Sequence, residues 1–146
     1  MKIVDANVLL YAINEDSRHH GCAKEWLDEA LNGQETIGFP WIVIVGFLRI
    51  STSSSASVAP LSVDDAVSQM KTWLSAPCSI AIEPGSAINH LELLHRLLVD
   101  AQQGGNLAND AHIAALAKVC HGTVVSFDND FAKFPSVAWM VPGKKT

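Results

Sequence analysis

The sequence predicts an α/β fold, a three-layer α/β/α sandwich with a mostly parallel central sheet, and three observations carry that expectation. Short β-favouring runs recur along the whole chain, and patterns with helical spacing of about 10–15 residues separate them. Several of those helical patterns are apolar along one side only, so each has a face to lay against a sheet. Two of the β-favouring runs, Lys2 to Val4 and Thr123 to Phe127, end on an Asp, which places Asp5 and Asp128 at equivalent ends of their strands. Strands joined through helices in this way form βαβ units and a parallel sheet sandwiched by helices.

The elements follow in order. After the first strand, Arg18 to Leu31 carries Cys22, Trp26 and Ala30 beside Ala23, Leu27 and Leu31, at spacings of four that predict one buried helix face. Thr36 to Phe39 reads as the second strand, and Pro40 suits the first position of a helix running to about Ile50. Ser51 to Ala59 is a Ser-rich loop. Ser62 is a good N-cap for a helix whose face is Val63, Ala66, Val67, Met70, Trp73 and Leu74. Ser79 to Ile82 is a third strand, and Pro84-Gly85-Ser86 turns the chain into a helix with Ala87, Leu91, Leu94 and Leu98 on one side. Ala108 to Cys120 is apolar on most sides and so reads as a buried helix, and Val137 to Val141 closes the sheet.

Composition bounds the function. The chain has 146 residues, 49% of them hydrophobic, enough to close one core, and one domain over residues 1–146 is expected. Its longest apolar stretches fall short of the roughly 20 residues of a spanning helix, and Asp5 and Asn7 interrupt the N-terminal one, so a soluble, cytoplasmic protein without membrane contact is expected. Cys22, Cys78 and Cys120 are odd in number and widely spaced, which disfavours a disulfide frame or a zinc site and suggests reduced core residues. A formal charge of −5 weighs against a nucleic-acid binder unless cations gather locally.

The acids carry the chemistry. Open parallel sheets bind ligands beyond the carboxyl ends of their strands, where Asp5 and Asp128 fall. Asp110, at the start of the buried helix, can face the same crevice, and Asp130 lies two residues beyond Asp128. Each acid alone equally fits a loop or a helix cap. Together they repel one another unless a cation or a proton neutralises them, and oxygen-only ligands select a hard ion, Mg²⁺ or Mn²⁺. The reaction class that fits is metal-assisted phosphodiester hydrolysis.

At these residues the sequence resembles a known family. MKIVDANVLLYAINED looks like the opening of PIN-domain proteins, particularly the toxin halves of VapBC toxin–antitoxin pairs, and NLANDAHIAALA and VVSFDNDFAKFP are similar to that family's later acidic motifs, in the same order. The resemblance covers the whole chain. It implies a Mg²⁺- or Mn²⁺-dependent endoribonuclease acting on RNA such as tRNA or ribosomal RNA, a homodimer, and inhibition by a cognate antitoxin. By position it implies Asp5, Asp110 and Asp128 as catalytic metal ligands, Asp130 as an accessory acid, and Asn7 and Ser126 as hydrogen-bonding support. One departure is evident: the family's usual second acid, a Glu three residues before an Arg, is replaced in the register Gly46-Phe47-Leu48-Arg49. The alternative reading is therefore a weak or inactive PIN-like module that binds an antitoxin or RNA, and a receiver-like phosphoacceptor ranks below both.

Among the cations, Arg18, Lys24, Arg49, Lys118 and Lys133 are candidates to grip RNA, and Arg49 leads them as the charge ending an apolar helix, a place that also suits a dipole-satisfying residue. His19-His20 points in two directions on a helix and chelates poorly, and His112 suits a hydrogen-bonded structural role. Trp26 and Trp73 fall on core faces, whereas Trp41, with Ile42 and Val45, suits a dimer seam or an antitoxin groove.

Overall fold

Lys2, Ile3 and Val4 form strand β1 (Lys2–Val4), with Ile3 and Val4 fully buried between its neighbours. The computed structural model describes residues 1–56 and 59–145. β1 is the middle of a five-stranded sheet with β2 (Ile37–Pro40), β3 (Ser79–Ile82), β4 (Thr123–Val125) and β5 (Ala138–Met140), ordered β3-β2-β1-β4-β5. Every pairing is parallel. The central strands are covered on both faces, which is why they read as unbroken apolar runs rather than as alternating ones. Ile3 pairs with Gly38 on one side and Val124 on the other. A Cβ at Gly38 would stand 2.8 Å from the Ile3 Cδ1 and 3.2 Å from the Ile82 Cδ1, so a larger residue there would make these side chains shift.

Two helical groups cover the sheet. α1 (Ala6–Ile13) packs on both α2 (His20–Leu31) and α3 (Trp41–Ser51), α3 packs on α4 (Val63–Leu74), and α5 (Ala87–Ala101) packs on α6 (Leu107–Val119). The caps were written in the sequence: Ser62 accepts from the Asp65 N–H and Ser86 from the Asn89 N–H, each satisfying an orphan donor of the first turn. α6 is buried through Leu107, Ala111 and Ile113 to Ala117, as its nearly all-apolar composition requires. Trp73 is buried edge-on against Phe47, with ring centroids 5.1 Å apart, so it is a packing residue.

Several expectations are corrected. α2 begins at His20 because residues 14–19 form turns, and its buried face is Ala23 and Leu27; Cys22 is exposed at its edge, beside Gly143, rather than in the core. Pro40 closes β2 and caps α3 instead of opening it. α5 turns Leu93 and Leu97 inward and leaves Leu91 63% exposed, because α6 meets it on the side next to the expected one. Val63, assigned to a packed face, is also exposed. The Ser-rich loop expected over Ser51 to Ala59 includes Ser57 and Val58, which lie outside the described residues, as does Thr146. Among the described residues no helix is long and apolar enough to cross a membrane.

The strand order places the site. The chain builds outward from β1 through β2 to β3, then returns to set β4 on the other side of β1. Adjacent strands whose connections leave in opposite directions open a crevice at their carboxyl ends, and here those are β1 and β4.

Candidate metal centre

Asp5 follows β1 directly and is the N-cap of α1, its Oδ1 accepting from the Ala6 N–H at 2.7 Å. Its Oδ2 accepts from the Ser126 hydroxyl at 2.6 Å and from Asn7 Nδ2 at 3.0 Å. Three donors thus occupy three of the roughly four acceptor positions of a carboxylate. Burial pushes the Asp5 pKa up, and the bonds from Ser126, Ala6 and Asn7 oppose that push. The result is a carboxylate fixed in place.

Asn7 and Ser126 carry that order across the sheet. Ser126 is fully buried just past β4, and its Oγ also accepts from Asn7 Nδ2 at 2.9 Å and from the Asp128 N–H at 3.0 Å. The Asn7 Oδ1 accepts from the Phe127 N–H at 3.1 Å, and the Ser126 carbonyl accepts from the Trp139 indole at 3.0 Å. The first turn of α1 and the segment after β4 are therefore one hydrogen-bonded unit. Asp128 then caps a short 3₁₀ helix, Asn129–Lys133, by accepting from the Asp130 N–H at 2.9 Å, which brings the two acids to the same side.

Asp110 reaches this place from the first turn of α6. Asp110, Asp128 and Asp130 each offer an oxygen within 4.8 Å of the others. Asp5 is outside that trio but bears on it electrostatically. The Asp110 pKa is pushed up to about 7, first by desolvation and then by the charges of Asp128, Asp5 and Asp130, with Lys133 pulling the other way and no hydrogen bond offsetting the rise. Lys133 stands 2.7 Å from Asp130 and 3.0 Å from the Gln103 amide oxygen.

The donor set suits a hard divalent ion. All three groups are carboxylates, the type that Mg²⁺ and Mn²⁺ prefer. Around an octahedral Mg²⁺ at about 2.1 Å, neighbouring oxygens stand about 3 Å apart and opposite ones about 4.2 Å, so the three oxygens would close in on one another around an ion. At Gly46, where the family's usual second acid is replaced, a Cβ would meet only the Ala6 Cβ, at 3.9 Å, so the position has room for a side chain.

The sequence places Asp5 and Asp128 at the ends of their strands, Asp110 at the start of the buried helix and Asp130 two residues past Asp128, with Asn7 and Ser126 implied as support, and all six stand in or against this cluster. It ranked the cations differently. Arg49 is exposed in the last turn of α3 and forms no ion pair among the described residues, whereas Lys133 touches the acids. The spacing Asp130 to Lys133 was a readable signal, since residues three apart on a helical turn are neighbours. Gln103 gave none. His112 is a hydrogen-bonded residue as expected: its Nδ1 lies 2.8 Å from His90 Nε2, and burial holds both imidazoles below their ordinary pKa.

Comparison with known proteins agrees with this geometry. The PIN domain family model matches residues 2–137. Ribonuclease VapC37 of Mycobacterium tuberculosis is 43% identical over 97% of each chain. Ribonuclease VapC43 of the same species is 34% identical over 97% of this chain and 95% of its own. Among solved structures, VapBC2 of Rickettsia felis, bound to a DNA fragment from its promoter, superposes with a TM-score of 0.67 at 22% identity, covering 97% of this chain and 98% of that one. Mycobacterium tuberculosis VapC20, a sarcin–ricin loop cleaving toxin, gives 0.66 at 16% identity over 90% and 93%. With a family model spanning nearly its full length, and with its acids gathered where β1 and β4 part, this chain belongs to the PIN-domain family.

Proposed function

We propose that this chain is an endoribonuclease of the VapC kind, the toxin of a toxin–antitoxin pair, which hydrolyses phosphodiester bonds in RNA at the Asp110–Asp128–Asp130 cluster. The observation that carries the proposal is the oxygen-only trio at the crevice between β1 and β4, with a fourth acid, Asp5, locked beside it. Asp110, Asp128 and Asp130 would hold Mg²⁺ or Mn²⁺, and Asp5 would contribute its remaining acceptor position. When bound, such an ion supplies charge stabilisation at the phosphate and lowers the pKa of water at neutral pH.

The chain's own residues do the rest. Asn7 and Ser126 fix Asp5 and the Asp128 N–H in one frame, so the acids do not reorganise as charge develops. Asp110, with a pKa near the working pH, is able to hold a proton at its carboxylate when no cation neutralises the site. Cations on the rim orient the RNA backbone, with Arg49 at the far end of α3 as an outer contact.

A cognate antitoxin is the proposed protein partner. A second copy of the chain is the other, docking along α3, where Trp41 and Val45 are 47% and 56% exposed one helical turn apart. The competing reading, a non-catalytic module that grips an antitoxin or RNA, draws on Gly46 alone.

The test uses purified protein and short RNA with Mn²⁺ or with EDTA, beside Asp5→Asn. Cleavage that needs Mn²⁺ and falls by at least ~100-fold in the variant is expected. Cleavage in EDTA, or full activity of Asp5→Asn, would remove the mechanism.

A further inference from the structure

Lys133 is the one Lys or Arg that the described residues place in an ion pair with the acid trio. Its Nζ stands 2.7 Å from Asp130 Oδ1 and 3.0 Å from Gln103 Oε1, with its side chain 40% exposed. An ammonium has three N–H donors, and these contacts use two. Gln103 arrives there for a backbone reason. Gln102 ends α5 in the left-handed region, at φ 54°, and the Gln103 N–H returns to the Leu98 carbonyl, which sends the Gln103 side chain across to the 3₁₀ helix.

We propose that Lys133 is a substrate-phosphate grip: it holds Asp130 in the free protein, releases it when a divalent cation fills the trio, and then binds a phosphate of the RNA, with Gln103 as its positioning residue. The inference rests on the ribonuclease reading above and names the residue that recognises the substrate's charge.

Two features argue for the exchange. A divalent ion on Asp130 would put two positive groups on one carboxylate, and the lysine, on a flexible four-carbon stem, is the one that is free to swing. A phosphodiester then offers the negative charge that Asp130 no longer shares. The neutral amide of Gln103 keeps the ammonium at the rim throughout, because it accepts a hydrogen bond without competing for charge. This also answers how a chain of charge −5 holds RNA: the cation is built into the acidic site itself.

The test compares wild type with Lys133→Ala, Lys133→Arg and Gln103→Ala in three measurements: binding of Mn²⁺ alone, steady-state cleavage of a short single-stranded RNA, and the salt dependence of KM. Thermal melts check folding, which the half-exposed position of Lys133 favours. Lys133→Ala should bind Mn²⁺ severalfold more tightly, since a competing cation is gone. Its KM for RNA should rise about 10-fold, with a salt slope lower by about one phosphate contact. Lys133→Arg should recover most of the KM, and Gln103→Ala should fall between. Unchanged KM and salt slope in Lys133→Ala, with an active wild type, would overturn the grip and leave the ribonuclease reading standing. Weaker Mn²⁺ binding in that variant would also overturn it, because the lysine would then be building the cluster rather than competing for it. A wild type that binds Mn²⁺ yet cleaves no RNA would bring down the ribonuclease reading, and the grip with it.

Discussion

Replacing Asp110 by Asn should stabilise the metal-free protein at pH 8 while abolishing cleavage. The Asp110 carboxyl is raised from 3.8 to about 7 by desolvation and by three neighbouring acids. At about 1.36 kcal/mol per pH unit, that displacement sets an upper limit of ~4 kcal/mol. The group is only half-buried, and solvent screening leaves about 1–2 kcal/mol. The sign follows from proton counting. Between pH 4 and pH 7 the native state keeps the proton and the unfolded chain loses it, so stability falls as pH rises through that window and stays low above it. Asn carries no charge at any pH, and no hydrogen bond to Asp110 is forfeited. In EDTA at pH 8 the variant should therefore melt roughly 3–6 °C higher, with the difference vanishing near pH 4. Saturating Mn²⁺ should reverse the order, because ion at about 100 times its Kd stabilises the wild type by ~2.7 kcal/mol, and the variant lacks one ligand. The assay is thermal unfolding from pH 4 to pH 8, with EDTA and with Mn²⁺. An Asp110→Asn protein that melts at or below the wild type at pH 8 without metal would refute the electrostatic account of the cluster.

Two further outcomes follow from the same geometry. Gly46→Glu should be tolerated, because a Cβ there meets only Ala6 at 3.9 Å and a helical Gly gives up about 1 kcal/mol of propensity; it should tighten Mn²⁺ binding by roughly 10-fold in calorimetry, and unchanged affinity would show that the position does not face the trio. Trp41→Ala should shift the chain toward monomer in light scattering and weaken antitoxin binding, since Trp41 is 47% exposed on α3, and an unchanged dimer would remove α3 as the seam.

Much of this was legible because it depends on local pattern. A β-favouring run ending in Asp fixes both the strand and the end of the sheet where the acid emerges, so Asp5 and Asp128 could be paired across 122 intervening positions without coordinates. α6 was legible from its composition, and Ser62 and Ser86 from the donors a first turn leaves unmet. What escaped depends on how elements lean on one another. Leu91 and Leu93 both lie on plausible faces of α5, and only the position of α6 decides between them. Cys22 sits at the margin of its helix stripe, where a small rotation separates core from solvent. Gln103 reaches the site through a left-handed turn at Gln102, a conformation that a non-glycine residue does not announce.

The four acids are not equivalent in burial, hydrogen bonding and charge, and under the proposed mechanism that difference would give them separate tasks. Asp5 is the most buried, yet three hydrogen bonds from Ala6, Asn7 and Ser126 hold it whether or not a cation is present. Its carboxylate is a fixed wall, made by the same contacts that join α1 to the end of β4. Asp110 has no such bonds, and its charge is opposed by every acid near it, so its ionisation depends on what else occupies the crevice. Asp128 and Asp130 stand between these extremes, tied to each other through the 3₁₀ turn and balanced by one lysine. A site composed in this way would keep Asp5 in place without a cation and would change its charge on binding one. Ordered geometry and responsive charge are thereby carried by different residues, which is why the loss of Asp5 and the loss of Asp110 should differ in stability even where both end cleavage.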